Sequence, residues 1–261
     1  MSDSALISSG KQLSVDQKFT GDIGESKYTN HVFTRLVAKD RRFTKVNFRY
    51  SFFESSYLRD CHFDSCDFTG CRFTNTNLSG SKFSGCKFEY ATFEKTLIDP
   101  IILDTECPGF ENLKLRFART LRTNFQQIGD AAAANKAMNV ELAATATHLS
   151  KAVWSNERYY RQHYSGLTRL KAVLDWADFK ILDFVWGNGE NLFRLFRFVL
   201  LLLVIMAVYD TVCYHGEVEQ LSSYWTSFTK SFAVFFGTLA PSGYSSSYLG
   251  LITCVRLVLV S

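Results

Sequence analysis

The chain has 261 residues, of which 47% are hydrophobic, 15% aromatic and 21% charged, with a formal net charge of +4. That much aromatic surface excludes a disordered chain, and seven Cys in this length are too dilute for a disulfide scaffold. The mild basicity gives no reason to expect a nucleic-acid partner.

Residues 1–40 read as an N-terminal segment, partly flexible or a degenerate repeat. Lys11, Asp16, Lys18, Asp22 and Glu25 interrupt it, and it lacks the cationic start and apolar run of a signal peptide. The expected compartment is therefore the cytoplasm, with the Cys as free thiols. Tyr28 and Phe33 fit the register described next, whereas Ala38 weakens it.

From Phe43 every fifth residue is large and apolar: Phe43, Phe48, Phe53, Leu58, Phe63, Phe68, Phe73, Leu78, Phe83, Phe88, Phe93 and Ile98. Two residues before most of them stands a small one, such as Ser51, Ser56, Cys61, Cys66, Cys71, Thr76, Ser81 and Cys86. A period of five is neither the 3.6 of a helix nor the 2 of a strand. It fits short extended segments separated by corners, with the small and the large residue both facing inward. Such a chain stacks into a solenoid. The Cys spacing of five is not that of a zinc site, and Cys66 and Cys86 should stack on one face. His62 falls at an outward position.

Residues 41–99 resemble the pentapeptide-repeat family, whose pattern is a small residue, a polar one, Leu or Phe, then two variable positions. The resemblance implies a right-handed quadrilateral β-helix with four pentapeptides per coil, hence three coils. Some relatives mimic DNA with acidic surfaces. Here nine Lys and Arg stand against six Asp and Glu between Arg41 and Ile98, which argues for a spacer or docking module instead.

Residues 100–165 form a helical linker or hairpin. Leu113 to Leu149 is rich in helix formers and broken at Gly129-Asp130. Its first arm carries Lys114, Arg116, Arg119 and Arg122, a stripe that would suit either solvent or an anionic partner. The hairpin is expected to cover the open edge of the β-helix. Residues 166–190 read as an amphipathic interfacial helix, with Trp176 and Trp186 placed for an interface.

Residues 191–261 read as a transmembrane domain. Leu192 to Tyr214 is apolar apart from Arg194, Arg197 and Asp210, and about 20 such residues cross a bilayer. The two Arg should snorkel from the first turns. Basic residues between Arg158 and Arg197 outnumber those beyond Asp210, so the N-terminal side is expected to be cytoplasmic and the membrane the inner (plasma) membrane. A pore helix and loop follow at 225–244 and a partial second span at 248–261, too short to cross as one helix.

Span, pore helix, Gly/Thr loop and second span together resemble the two-transmembrane ion-channel module. Gly187-Asn188-Gly189-Glu190 resembles the entry to that module in bacterial pentapeptide-repeat channel-like proteins. This implies a cation-conducting homo-oligomer, a tetramer, in the lipid bilayer, with Thr238, Leu239, Ala240, Ser242, Gly243 and Tyr244 at the filter. The filter sequence departs from TVGYG at Pro241, so potassium selectivity is not implied. Collapse of a membrane potential would suit a stress or defence effector. The alternative is a non-conducting anchored scaffold that recruits a cytoplasmic protein partner through the β-helix. No nucleophile–base set, carboxylate pair or metal set stands out, so neither an enzyme nor a cofactor is expected.

Overall fold

The period of five becomes a four-sided ladder in the computed structural model, which describes residues 10–189, 191–215, 220–237 and 253. From Ile23 onward each strand pairs in parallel with the one 20 residues on, so four pentapeptides make one coil, while the first coil is one residue shorter, with Gln12 opposite His31. One face holds β1 (Gln12–Val15), β3 (His31–Thr34), β6 (Phe52–Glu54), β9 (Arg72–Thr74) and β11 (Thr92–Glu94). A second holds β2 (Ile23–Gly24), β5 (Arg42–Thr44), β8 (His62–Asp64) and β10 (Lys82–Ser84). The third pairs β4 (Val37–Lys39) with β7 (Tyr57–Arg59) and continues through bridges at Asn77 and Leu97. The fourth is a run of bridges, Lys27 to Asn47 to Asp67 to Lys87. The solenoid starts at Gln12 and makes about four turns, so it is longer than the three coils counted from Arg41.

Inside, the large residues form columns. Phe33, Phe53, Phe73 and Phe93 stack with centroids 5.1, 4.9 and 5.1 Å apart. Phe43, Phe63 and Phe83 form a second stack, and Phe48, Phe68 and Phe88 a third. The fourth column is aliphatic: Ala38, Leu58, Leu78 and Ile98, all buried. Ala38 therefore sits in register, below Leu58 in this aliphatic run. Ring pairs at these separations add about 0.5–1.5 kcal/mol each beyond the area they bury.

The small inward residues have a second duty. Each Ser, Thr or Cys donates to the carbonyl 23 residues back: Ser56 to Phe33, Cys71 to Phe48 at 2.9 Å, Thr76 to Phe53 at 3.0 Å, Ser81 to Leu58 at 2.6 Å. A Ser, Thr or Cys here fits the corner and also satisfies that buried carbonyl, while Val46 and Ala91 fill the same inward position by packing alone. Burial pushes the Cys71 thiol far above its ordinary range, in keeping with an inert packing role. Cys66 and Cys86 lie on one face, next to the Asp67–Lys87 bridge, as free thiols.

The corners use left-handed backbone. Every fifth residue from Arg35 to Lys95 has positive φ, including Lys45, Tyr50, Asp60 and Tyr90. Such a conformation costs a non-glycine residue roughly 1–2 kcal/mol, and the ladder offsets it: the corner N–H of Tyr50 donates to Thr69 O at 2.9 Å. Gly70 is needed for a further reason. A Cβ there would stand 2.6 Å from the Tyr50 ring.

Helices follow. After the short α1 (Ile102–Thr105), α2 (Glu111–Gln127) and α3 (Ala131–Trp154) pack together, with the chain turning at Gly129 and Asp130 capping α3 through Ala133 N–H at 2.9 Å. α2 buries Phe117, Ala118, Leu121 and Phe125. α3 answers with Ala133, Ala134, Ala137 and Ala144, small side chains that let the helices approach closely. Then come α4 (Arg158–His163) and α5 (Leu167–Trp186). One compact unit ends at Trp176 within α5 and the second begins at Ala177. The second holds α6 (Leu192–Asp210), a wider π-type turn over Thr211–His215, and α7 (Leu221–Phe235).

Candidate functional site

Two places gather polar side chains where the sequence alone gives no reason to join them. The first is the helical cap of the solenoid. A last coil leaves a row of unpaired N–H groups, an invitation to edge-to-edge association. Here four of them find side-chain oxygens. Cys86 N donates to Glu106 Oε2 at 2.6 Å, Phe93 N to Thr120 Oγ1 at 3.2 Å, Lys95 N to Gln127 Oε1 at 3.0 Å and Thr96 N to Asn124 Oδ1 at 2.7 Å. Asn124 also donates to Thr96 O at 2.8 Å. Glu106 lies 20 residues after Cys86 and takes the place the next small residue would hold. Burial raises its carboxyl pKa. Phe117 closes two aromatic columns, 5.8 Å from Phe88 and 6.0 Å from Phe93.

The basic stripe of α2 is largely committed inside the cap. Arg119 and Arg122 both bind Glu141, at 2.8 and 2.9 Å, and Glu141 is buried. Arg116 lies over the Tyr90 ring at 5.5 Å. An anionic partner of this arm would have to displace those contacts.

The second place is the α6–α7 pair. Leu203, Met206, Val234 and Phe235 form its core. Asp210, Thr211, Ser227 and Ser231 are also buried there, and Asp210 Oδ1 lies 3.8 Å from Lys230 Nζ. The hydroxyls of Ser227 and Ser231 have no hydrogen-bond partner among the described residues. Around this polar seam the surface is apolar: Phe193, Phe196, Leu200 and Ile205 on α6 and Leu221 and Trp225 on α7 are exposed. A groove of about 760 Å³ runs between Leu200, Val204, Val208, Leu221, Trp225 and Phe228.

Entry to α6 is a tight turn. Gly187, Asn188 and Gly189 all have positive φ, and a Cβ on Gly187 would stand 3.0 Å from Asn191 Cβ. Asn191 caps α6 by accepting from Arg194 N at 3.2 Å. The two Arg do not extend away from the helix. Arg194 binds the Asp183 carboxylate and its carbonyl, and Arg197 donates to Phe184 O at 3.0 Å with its guanidinium over that ring. The sequence reading missed this tie because its acceptors lie 11 and 13 residues back, across a turn. α7 begins at Leu221, four residues ahead of Trp225.

The filter candidates Thr238, Leu239, Ala240, Ser242, Gly243 and Tyr244, and the partial second span at 248–261 apart from Thr253, lie outside the described residues. Among the described residues no group of three or more His, Cys, Asp or Glu is arranged for a metal.

Residues 42–75 and 61–97 match the family model "Pentapeptide repeats", in eight copies. No curated protein matches the chain. A trypsin-treated variant of QnrB1, a plasmid-mediated fluoroquinolone resistance protein, is similar at 15% identity, over 34% of this chain and 73% of its own, with a TM-score of 0.19. A pentapeptide repeat protein from the Arabidopsis thaliana thylakoid lumen is similar at 13% identity, over 36% of this chain and 76% of its own, with a TM-score of 0.17. With eight matched copies and a ladder of four pentapeptides per coil, residues 42–97 of this chain are pentapeptide repeats.

Proposed function

We propose that this protein is a membrane-anchored docking platform, with α6 in the bilayer of the inner (plasma) membrane and the capped solenoid presented to a protein partner on the cytoplasmic side. The observation that carries it is the exposed apolar flank of α6. Leu192–Cys213 is 22 residues, about 33 Å of helix for a hydrocarbon core of ~30 Å. Large apolar faces of this kind mark an interaction site rather than a surface for water. The solenoid supports docking: its core is satisfied internally, which leaves outward side chains such as Arg42, Arg72 and Lys82 to meet a partner.

The test is flotation of the full chain with liposomes. The wild type should float and resist carbonate extraction, and Leu201→Lys combined with Ile205→Lys should leave it in the soluble fraction. Flotation unaffected by the two lysines would remove α6 as the anchor.

A second reading, conduction by a homo-oligomer of four chains, is favoured by the polar seam. Charged and hydroxyl side chains at membrane depth are costly and tend to line ion or proton paths. Asp210, Thr211, Ser227 and Ser231 would line such a path. Sodium and potassium flux from loaded vesicles checks this. Flux that falls on Asp210→Asn supports conduction; vesicles that stay sealed with the wild type leave the anchored platform.

A further inference from the structure

Where residues 109 and 110 lead into α2 beside α4, the first unit carries a recess that takes no part in capping the solenoid. Its volume is about 310 Å³, near the lower bound for ligand sites and enough for one side chain or a small molecule. Tyr90, Phe110, Tyr159 and Tyr160 provide aromatic walls, and Glu111, Glu157 and Lys151 provide the charges.

The walls are held in place. Tyr159 meets Tyr160 edge to face, with centroids 5.2 Å apart. Asn112 Nδ2 donates to the Tyr159 hydroxyl at 3.3 Å. The buried Tyr160 hydroxyl lies 3.3 Å from His148 Nδ1, and His148 Nε2 lies 3.1 Å from the Tyr164 hydroxyl. Burial lowers the His148 pKa and pushes the Tyr160 phenol up to about 12. Both are uncharged at neutral pH, so the recess takes its charge from the other three groups.

Those three do not balance. Lys151 Nζ stands 3.8 Å from Glu111 Oε1 and 3.6 Å from Glu157 Oε1. Both distances exceed a direct hydrogen bond, so one ammonium is shared loosely between two carboxylates. The lining is left formally one charge negative. Ring faces attract cations, and Tyr90 already receives the Arg116 guanidinium.

We propose that this recess binds a small organic ammonium group, from a free quaternary amine or a lysine side chain of a partner polypeptide. The rings cover its alkyl surface, Glu111 and Glu157 meet its charge, and Lys151 is the internal cation that it displaces. The inference is independent of the membrane reading, because every residue in it belongs to the first compact unit.

The test uses the full chain in detergent micelles, titrated with choline at constant ionic strength and followed by calorimetry. Choline should bind saturably and at least about tenfold more tightly than 3,3-dimethyl-1-butanol, its uncharged isostere. Lys151→Met should tighten choline binding about tenfold by removing the competitor, and Glu111→Gln should weaken it by a similar factor. A capped Gly-Lys-Gly peptide that binds more tightly than choline identifies a polypeptide as the source; weaker binding identifies a free amine. Equal binding of choline and the isostere, tighter binding of acetate, or weaker choline binding by Lys151→Met would overturn the proposal. The first two comparisons need only the wild type, so misfolding of a variant does not decide the result.

Discussion

The solenoid and the α6–α7 pair handle the same difficulty in opposite ways. Both bury hydroxyl-bearing side chains among apolar ones. In the solenoid each has a partner, as when Ser81 donates to Leu58 O at 2.6 Å and accepts from Cys61 N at 3.0 Å. In the helix pair Ser227 and Ser231 have none among the described residues, and large apolar side chains stand exposed around them. The solenoid is complete in itself. The helix pair leaves exposed an apolar surface of the kind that marks an interaction site.

The largest effect that can break this contrast lies in the solenoid core. Phe68→Ala removes a ring 5.2 Å from Phe48 and 5.0 Å from Phe88, and should cost about 3–5 kcal/mol. The measurement is the urea midpoint of the full chain; an unmoved midpoint would show that the columns do not hold the coils together. Next comes the cap. Asn124→Ala strands the N–H and the carbonyl of Thr96 and should cost about 2–3 kcal/mol. Asn124→Asp, which keeps only the acceptor, should recover part of that.

A paired substitution sharpens the comparison directly. Ser81→Ala should destabilise by about 1–3 kcal/mol, since Cys61 N and Leu58 O lose their partner. Ser231→Ala in α7 should fall within about 0.5 kcal/mol of zero. Equal costs from thermal melts would dissolve the distinction. The smallest effect is one of pH. Burial raises the Glu106 carboxyl above its ordinary 4.5, so its ionisation in the folded state is unfavourable. Its relative contribution is complete below pH 4.5 and is lost as pH rises through the higher folded value. The stability of the wild type relative to Glu106→Gln should therefore rise as pH is lowered from neutral toward 4.5. A constant difference would place Glu106 in water.

The repeat was legible because its signal is periodic and local: a small residue, then a large one, every five positions. The coils before Arg41 were harder to read, since Ala38 and Val37 look like a break until the aliphatic column of Leu58, Leu78 and Ile98 is seen beside the aromatic ones. The left-handed corners left no trace in composition, because Lys45, Tyr50 and Ser55 occupy positions where only Gly70, Gly80 and Gly85 advertise the conformation. In the cap, Glu106 keeps the 20-residue offset from Cys86 but is hidden by being a large charged residue where the repeat has small ones, whereas Asn124 acts through a tertiary contact that no spacing encodes. The same holds for Asp210 and Lys230, which meet only after α7 folds back on α6. The apolar run of α6 was plain from the letters alone.

The 20-residue ladder makes the solenoid a ruler with a fixed graduation. Gaining or losing 20 residues changes its height by one strand spacing, about 4.8 Å, and leaves every column intact. A change of five residues preserves the alternation of small and large but turns everything downstream by one side, cap included. A change of one residue within a strand reverses its inward and outward faces, whereas the first coil, 19 residues from Gln12 to His31, is one residue short and still buries Phe19. Whole coils are therefore the unit by which the solenoid can lengthen without disturbing its columns.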